Sequence, residues 1–197
     1  MKVRNLMWMA TAFFCISCVQ AQDVMKTIVL EKPDLSRGTS LMAALSQRKS
    51  TREFSEKELS LTDLSGLLWA ANGINRPESG KRTAPSAMNK QDIKVYVCMK
   101  EGSYLYNPQK QTLVLISEED SRQKTDAPVM LVLVSDTKDN WGALDAGIVS
   151  QNISLYCSAV QLATVPRGSM DQEALRKALK LADNQQLYLN HPVGYFK

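Results

Sequence analysis

One α+β layer domain is the fold class the sequence predicts, and three observations carry it. The chain has 197 residues, 44% of them hydrophobic, enough to bury one sizeable core and too few for two ordinary domains. Segments with helical apolar spacing lie before and after a group of strand-like segments in the middle of the chain. Helices outnumber strands and no internal repeat divides them, which favours helices layered on a central sheet.

The elements follow in order. Residues 1–21 read as an export leader: Lys2 and Arg4 precede an almost wholly apolar run from Leu6 to Cys18, and Val19-Gln20-Ala21 offers small side chains for a cut after Ala21. The segment resembles a bacterial secretory signal, which would place the mature protein in the periplasm; a retained anchor and a lipidated Cys18 are the alternatives. Cys15-Ile16-Ser17-Cys18 has redox spacing but would leave with the leader. Residues 22–36 lack a period, and Pro33 opposes a helix, so an extended arm is expected. Ser40 can cap a helix carrying Leu41, Ala44, Leu45 and Arg48, and Ser60 a second whose Leu61, Leu64, Leu67, Leu68 and Ala71 form a stripe ending at Gly73. Trp69 on that stripe reads as core.

Pro77, Gly80 and Pro85 make 74–89 a long loop. Ile93 to Met99 alternates as a half-buried strand, Tyr104 to Tyr106 and Thr112 to Ile116 are short neighbours, and the apolar run Val129 to Val134 is a central strand. Gly142 to Ala163 is expected to be the longest and most buried helix, with Leu144, Ile148, Gln151, Leu155, Ala159 and Leu162 near one face. Asp145 on it reads as an orienting or capping group, and Asn152-Ile153-Ser154 is a sequon set inside a helix. After Pro166-Arg167-Gly168, Asp171 caps a helix through Leu175, Leu179 and Leu181, Gln185 to Leu189 is a last strand, and His191 is expected in an exposed turn.

Composition excludes several functions. Of the formal charge of +4, two units belong to Lys2 and Arg4, leaving +2, too little to argue for nucleic acid. One histidine cannot build a zinc cluster, so no metal is expected, and a serine hydrolase would have only His191 as base. Cys98 and Cys157 are expected as buried free thiols, although export would permit a bridge.

Three polar groups could carry chemistry. In an extended Arg48-Lys49-Ser50-Thr51-Arg52, the side chains of Arg48, Ser50 and Arg52 share a face, and two guanidiniums with a hydroxyl suit a phosphate. A solvated basic helix end accounts for the same residues. Arg82-Thr83-Ala84-Pro85-Ser86-Ala87-Met88-Asn89-Lys90-Gln91 offers hydroxyl and amide groups suited to the edge of a heteroaromatic ring, or is simply a polar turn. Thr164-Val165-Pro166-Arg167-Gly168-Ser169 is a break where Gly168 would let backbone N–H groups approach a ligand, or a plain connector.

Taken in order, Arg48-Lys49-Ser50-Thr51-Arg52-Glu53-Phe54, Leu67-Leu68-Trp69-Ala70-Ala71-Asn72-Gly73-Ile74-Asn75-Arg76, Arg82-Thr83-Ala84-Pro85-Ser86-Ala87, Asp145-Ala146-Gly147 with Gln151-Asn152, and Gly194-Tyr195 resemble the nitroreductase family of flavin mononucleotide (FMN) enzymes. The second and third segments look like the branch that contains the thiazoline and oxazoline dehydrogenases of peptide maturation, although their Lys-Tyr catalytic pair has no counterpart located in this chain. The resemblance makes 37–197 one FMN-binding domain. It implies an α+β sandwich with a central, mostly antiparallel sheet flanked by helices, and an intertwined homodimer with FMN at the subunit interface.

Carried over, Arg48, Ser50 and Arg52 would hold the FMN phosphate and ribityl chain, with Lys49 adding backbone or charge. Pro85, Ser86, Ala87 and Asn89 would approach the flavin from the partner subunit, and Gln91 sits where the family often has an amide nearby. Arg167 and Gly168 would lie near N5, and Lys197 would reach the phosphate. The implied reaction passes hydride from NAD(P)H through N5 to a nitroaromatic, quinone or similar small acceptor. Positioning and the flavin supply that chemistry, so no catalytic side chain is assigned. The family's Gly-Tyr-Pro ending is Gly194-Tyr195-Phe196 here, and an exported protein meets little nicotinamide nucleotide. An exported flavin-binding protein without turnover is therefore the alternative, and a homologue that binds nothing a third.

Overall fold

A computed structural model describes residues 26–197. The expected leader, its cut after Ala21 and the first residues of the 22–36 arm lie outside the described residues.

The chain runs β1 (Thr27–Val29), α1 (Leu41–Gln47), α2 (Leu61–Asn72), β2 (Ile74–Arg76), β3 (Lys81–Arg82), β4 (Ile93–Met99), β5 (Gly102–Asn107), β6 (Thr112–Ser117), β7 (Val129–Ser135), α3 (Asn140–Ala159), β8 (Leu162–Thr164), α4 (Gln172–Ala178) and β9 (Gln186–Tyr195). Seven strands form one sheet in the order β1-β6-β5-β4-β7-β9-β8, with every neighbouring pair antiparallel.

The period-two alternation of the central strands decides the layers. Val95, Val97, Leu131 and Leu133 face α2 and α3 and pack with Leu64, Leu67, Leu68, Ala71, Ala146, Val149, Ile153 and Cys157. The opposite face, with Tyr96, Cys98, Met130, Val132 and Val134, is covered by Leu175 and Leu179 from α4 and its end. The result is the expected α+β sandwich with a central antiparallel sheet. Each fully buried leucine in it stabilises the fold by roughly 1.5–3 kcal/mol relative to an exposed one.

Caps fall where the sequence places them. Ser40 accepts from Ala43 N at 3.2 Å, Ser60 from Asp63 N at 3.0 Å and Asp171 from Ala174 N at 3.0 Å, each satisfying a donor that the first helical turn leaves open. Gly73 ends α2.

Five differences have physical reasons. Residues 27–29 of the expected arm pair with β6 and extend the sheet. The 74–89 loop contains a small hairpin, β2 with β3. α3 ends at Ala159, because Gln161 adopts a left-handed φ of 61° and Leu162 begins β8. β9 continues through Pro192 to Tyr195, so His191 is a fully buried strand residue instead of an exposed turn residue.

The fifth concerns the face of α3. It is the longest helix described, 20 residues, but Leu144 is 59% and Ile148 36% exposed. The buried positions are Gly142, Asp145, Ala146, Val149, Ser150, Ile153, Ser154 and Cys157. Small and polar side chains let α3 lie close to the sheet and α2, while its larger apolar residues point outward. With Trp141 on α3 and Leu41, Met42 and Leu45 on α1, which packs beside α3, they leave an exposed apolar surface.

Candidate functional site

Arg48 to Glu53 leaves α1 as an extended segment, tied to β8 where Thr51 N donates to Thr164 O at 2.9 Å. Phe54 then bridges to Phe196, and Ser55 N donates to Tyr195 O at 3.0 Å. The segment is thus threaded between β8 and the chain's end, which brings Arg48, Lys49, Ser50 and Arg52 to the region of Lys197. All five are exposed, and among the described residues none of the four cations has an ion pair. Lys49 lies 5.6 Å from the centre of the Phe196 ring. Beside this segment is a cavity of about 400 Å³ lined by Lys49, Ser154, Ser158, Leu162, Thr164 and Phe196, among others. Of this group only Lys49 lines the cavity; with the other exposed cations and the Ser50 hydroxyl on the adjoining segment it forms a donor set that fits a phosphate.

Behind the cavity wall His191 is fully buried. Its Nε2 is 2.8 Å from Ser150 Oγ, and its Nδ1 is 3.4 Å from Thr164 Oγ1, which itself donates to Pro192 O at 2.9 Å. Because the Thr164 proton is committed to Pro192, Nδ1 carries the imidazole proton and Nε2 accepts from Ser150. Burial, with the charge of Arg167 adding to it, pushes the imidazole down to about 3, so it is neutral and serves as a brace. Cys157, beneath the cavity, and Cys98 are buried free thiols; burial pushes Cys98 up to about 11 and Cys157 upward as well, leaving both unreactive.

The second predicted group forms a separate structure. After exposed Pro85, residues Ala87–Asn89 make a single 3-10 turn, closed where Gln91 N donates to Ser86 Oγ at 2.8 Å. Met88, Asn89 and Gln91 all have left-handed φ, 52°, 54° and 50°, a conformation that costs non-glycine residues energy. The Gln91 amide is spent inside the loop: Oε1 accepts from Arg82 Nε at 3.1 Å, and Nε2 donates to Gly80 O at 3.2 Å. Burial lowers the basicity of Arg82. Ala87 N donates to both carboxylate oxygens of Asp145, each at 3.0 Å, which anchors the turn to the start of α3.

The third group divides. Arg167 N donates to Asn190 O at 2.8 Å, and the guanidinium turns away to Asn190 Oδ1, Gln123 O and Lys124 O. It lines a different cavity, of about 490 Å³, with Ser169 and Asp171. Gly168 is exposed, with nothing within 4 Å of where a side chain would begin.

The predicted residues therefore gather at two places. The basic segment and its cavity lie by Ser154 and Ser158, while the Ser86 turn is pinned at Asp145; along α3 these points are about 14–20 Å apart at roughly 1.5 Å per residue. One chain does not bring them together. The sequence reading missed Asp92, Ser135 and the burial of His191. Asp92 looks like one more loop polar residue, and only the sheet places it beside Asp145. Among the described residues no cluster of three or more His, Cys, Asp or Glu side chains could hold a metal.

This antiparallel sandwich belongs to a known class of α+β oxidoreductases. The chain is a member of the nitroreductase family, whose model matches residues 45–195. A protein of Methanocaldococcus jannaschii, provisionally named a nitroreductase, is 27% identical over 195 residues, covering 85% of this chain and 96% of that one. A crystal structure from Ralstonia eutropha JMP134, of a protein provisionally named a nitroreductase, superposes with a TM-score of 0.82 at 35% identity, over 87% of this chain and 90% of the other. A nitroreductase with bound FMN from Bacteroides fragilis NCTC 9343 shares the fold, with a TM-score of 0.57 at 16% identity over 81% and 89% of the chains.

Proposed function

We propose that this protein is an FMN-dependent homodimeric oxidoreductase that passes hydride from NAD(P)H to nitroaromatic, quinone or similar electron-poor acceptors. One observation carries the reading: two predicted half-sites stand about 14–20 Å apart along α3, and the helix surface beside them is apolar and exposed at Leu144 and Ile148. A two-fold pairing of α3 with its copy buries that surface. It also brings the Ser86 turn of each chain toward the basic segment of the other.

The residues present fit the cofactor. Arg48, Arg52 and Lys197 neutralise the phosphate, Ser50 donates a hydrogen bond to it, and Lys49 stays against Phe196 at the cavity mouth. FMN, when bound, accepts and returns hydride at N5. With the Arg167 N–H committed to Asn190, Gly168 supplies the backbone N–H nearest that break. Pro85, Ser86, Ala87 and Asn89 shape the other side, and Gln91 acts by bracing the turn. No side chain of this set is assigned a proton-transfer role.

Arg48→Ala with Arg52→Ala is expected to weaken FMN binding at least tenfold, about 1.4 kcal/mol or more, in a fluorescence titration; a double variant that purifies yellow at full stoichiometry overturns the site. Bleaching of bound flavin by NADH or NADPH without oxygen tests turnover, and a flavin that neither donor reduces supports a carrier role instead. Export to the periplasm is part of the proposal and predicts a mature N-terminus at Gln22.

A further inference from the structure

Two buried carboxyl groups meet beneath the strained Ser86–Gln91 turn. Asp145 is 3% and Asp92 5% exposed. Asp145 accepts the Ala87 N–H on both oxygens, and Asp92, which leads from the turn into β4, is held toward it by Ser135, whose hydroxyl lies against Gly142, one helical turn before Asp145 on α3. Ser135 Oγ donates to Asp92 Oδ2 and accepts from Thr137 N at 3.1 Å. The other oxygen, Asp92 Oδ1, is buried and has no hydrogen-bond partner among the described residues.

Among the described residues no cation is paired with either carboxyl group. The charged and titratable groups around them can be named from each element. Arg82, from the hairpin side, is near enough to feel Asp92 but gives its hydrogen bonds to Gln91 and Ile93. Asp139, at the start of α3, adds negative charge and is paired with Lys90 at 3.3 Å. Tyr188, from β9, gives its proton to Asp139 O at 2.9 Å. Two ionised carboxylates in this place would repel each other and leave Asp92 Oδ1 without a partner, whereas one proton between them removes both costs.

We propose that Asp92 and Asp145 share one proton and, joined through it, act as positioning residues that clasp the Ser86–Asn89 turn in its left-handed shape. The proton bridges Asp92 Oδ1 and the Asp145 carboxylate, while Asp145 retains the Ala87 N–H. Burial first, and then Asp92 and Asp139, hold the Asp145 carboxyl above the usual carboxylate range against the opposing pull of the Ala87 N–H. Release of the shared proton at higher pH restores the repulsion and loosens the turn from the side of Asp92. Asp145→Asn keeps an acceptor for Ala87 N–H and gains a donor for Asp92, so it imitates the joined pair and cannot titrate.

The clasp rests on the proposed function only in what the turn is for, since the pairing itself involves no flavin. The test uses the full chain, with and without added FMN. Infrared difference spectroscopy between wild type and Asp145→Asn across a pH titration is expected to show a protonated-carboxyl band in the wild type that persists above the usual carboxylate range. The same band is expected to disappear in Asp92→Asn, which imitates the pair from the other side and serves if the first variant folds poorly. Hydrogen exchange at the Ala87 amide, corrected for intrinsic rate, is expected to lose about tenfold of its protection as the wild-type band titrates away, a change of about 1.4 kcal/mol, and to stay flat with pH in Asp145→Asn.

Absence of the band, or an Ala87 protection that follows the same pH course in wild type and Asp145→Asn, overturns the clasp. Both readouts without flavin leave it standing even where FMN fails to bind, and a chain that binds and turns over FMN without the band loses the clasp alone.

Discussion

Acid should weaken this fold through His191, well before its paired carboxylates protonate. The imidazole is fully buried, bonded to Ser150 and Thr164, and its native pKa is pushed from 6.5 down to about 3, first by burial and second by Arg167. The unfolded chain therefore binds this proton more readily than the native one. Stability is complete above the unfolded value and falls as pH drops from about 6.5 toward about 3. Between about pH 7.5 and about pH 5 the loss is close to 2 kcal/mol, and the whole shift is worth roughly 5 kcal/mol at about 1.36 per unit. Asp63 does not confuse this window. Burial raises its pKa, but hydrogen bonds from Ser60, Tyr195 and Arg37 outweigh that and hold it below the ordinary range, so its contribution disappears only in stronger acid. Urea unfolding of wild type and His191→Gln at the two pH values isolates the effect. The variant is expected to be less stable at the higher pH and to lose about 2 kcal/mol less on acidification. Equal losses in the two proteins would refute the assignment of a neutral, buried imidazole.

Tyr195→Phe removes the hydrogen bond from the tyrosine hydroxyl to Asp63 Oδ2, 2.6 Å long, at the point where Asp63 also holds Ser60 and Arg37; a loss of about 1.5–3 kcal/mol in chemical unfolding is expected, as for a bond to a charged acceptor. Met88→Gly relieves a left-handed φ of 52° at an exposed side chain, and since glycine also frees the unfolded chain, a net gain of up to about 1 kcal/mol is expected in thermal unfolding.

Most of the framework is readable from local pattern. β4 has the expected bounds, Ile93–Met99, although it is buried on both faces instead of one, and Val129–Val134 is an interior strand because a continuous apolar run must be covered on both faces. Ser40, Ser60 and Asp171 mark three helix starts because an N-cap is a local device, decided within three residues. His191 shows the limit. Before Pro192 it reads as a turn, yet proline is accepted in β9 and the histidine is buried by a register with β7 that opposes it to Leu131, a partner sixty residues away. Asp92 is hidden for the same reason, since its neighbour Asp145 is brought to it by the packing of α3 on the sheet.

The reversed face of α3 joins these limits to function. Amphipathic reasoning assigns the face richest in large apolar residues to the core, which holds when a helix has one apolar neighbour. In α3 the inward face is Ala146, Val149, Ser150, Ile153, Ser154 and Cys157, apolar enough to pack and small enough to sit close, and the outward face carries Leu144 and Ile148. Under the proposed function, that outward face is the one a second copy of the chain would cover, and the basic segment of one copy would then approach the Ser86 turn of the other. A sedimentation measurement at low protein concentration decides it. A dimer that Leu144→Glu with Ile148→Glu converts to a folded monomer, with FMN affinity lost alongside, is the expected result. A monomeric wild type that binds FMN fully would show that one chain completes the site alone.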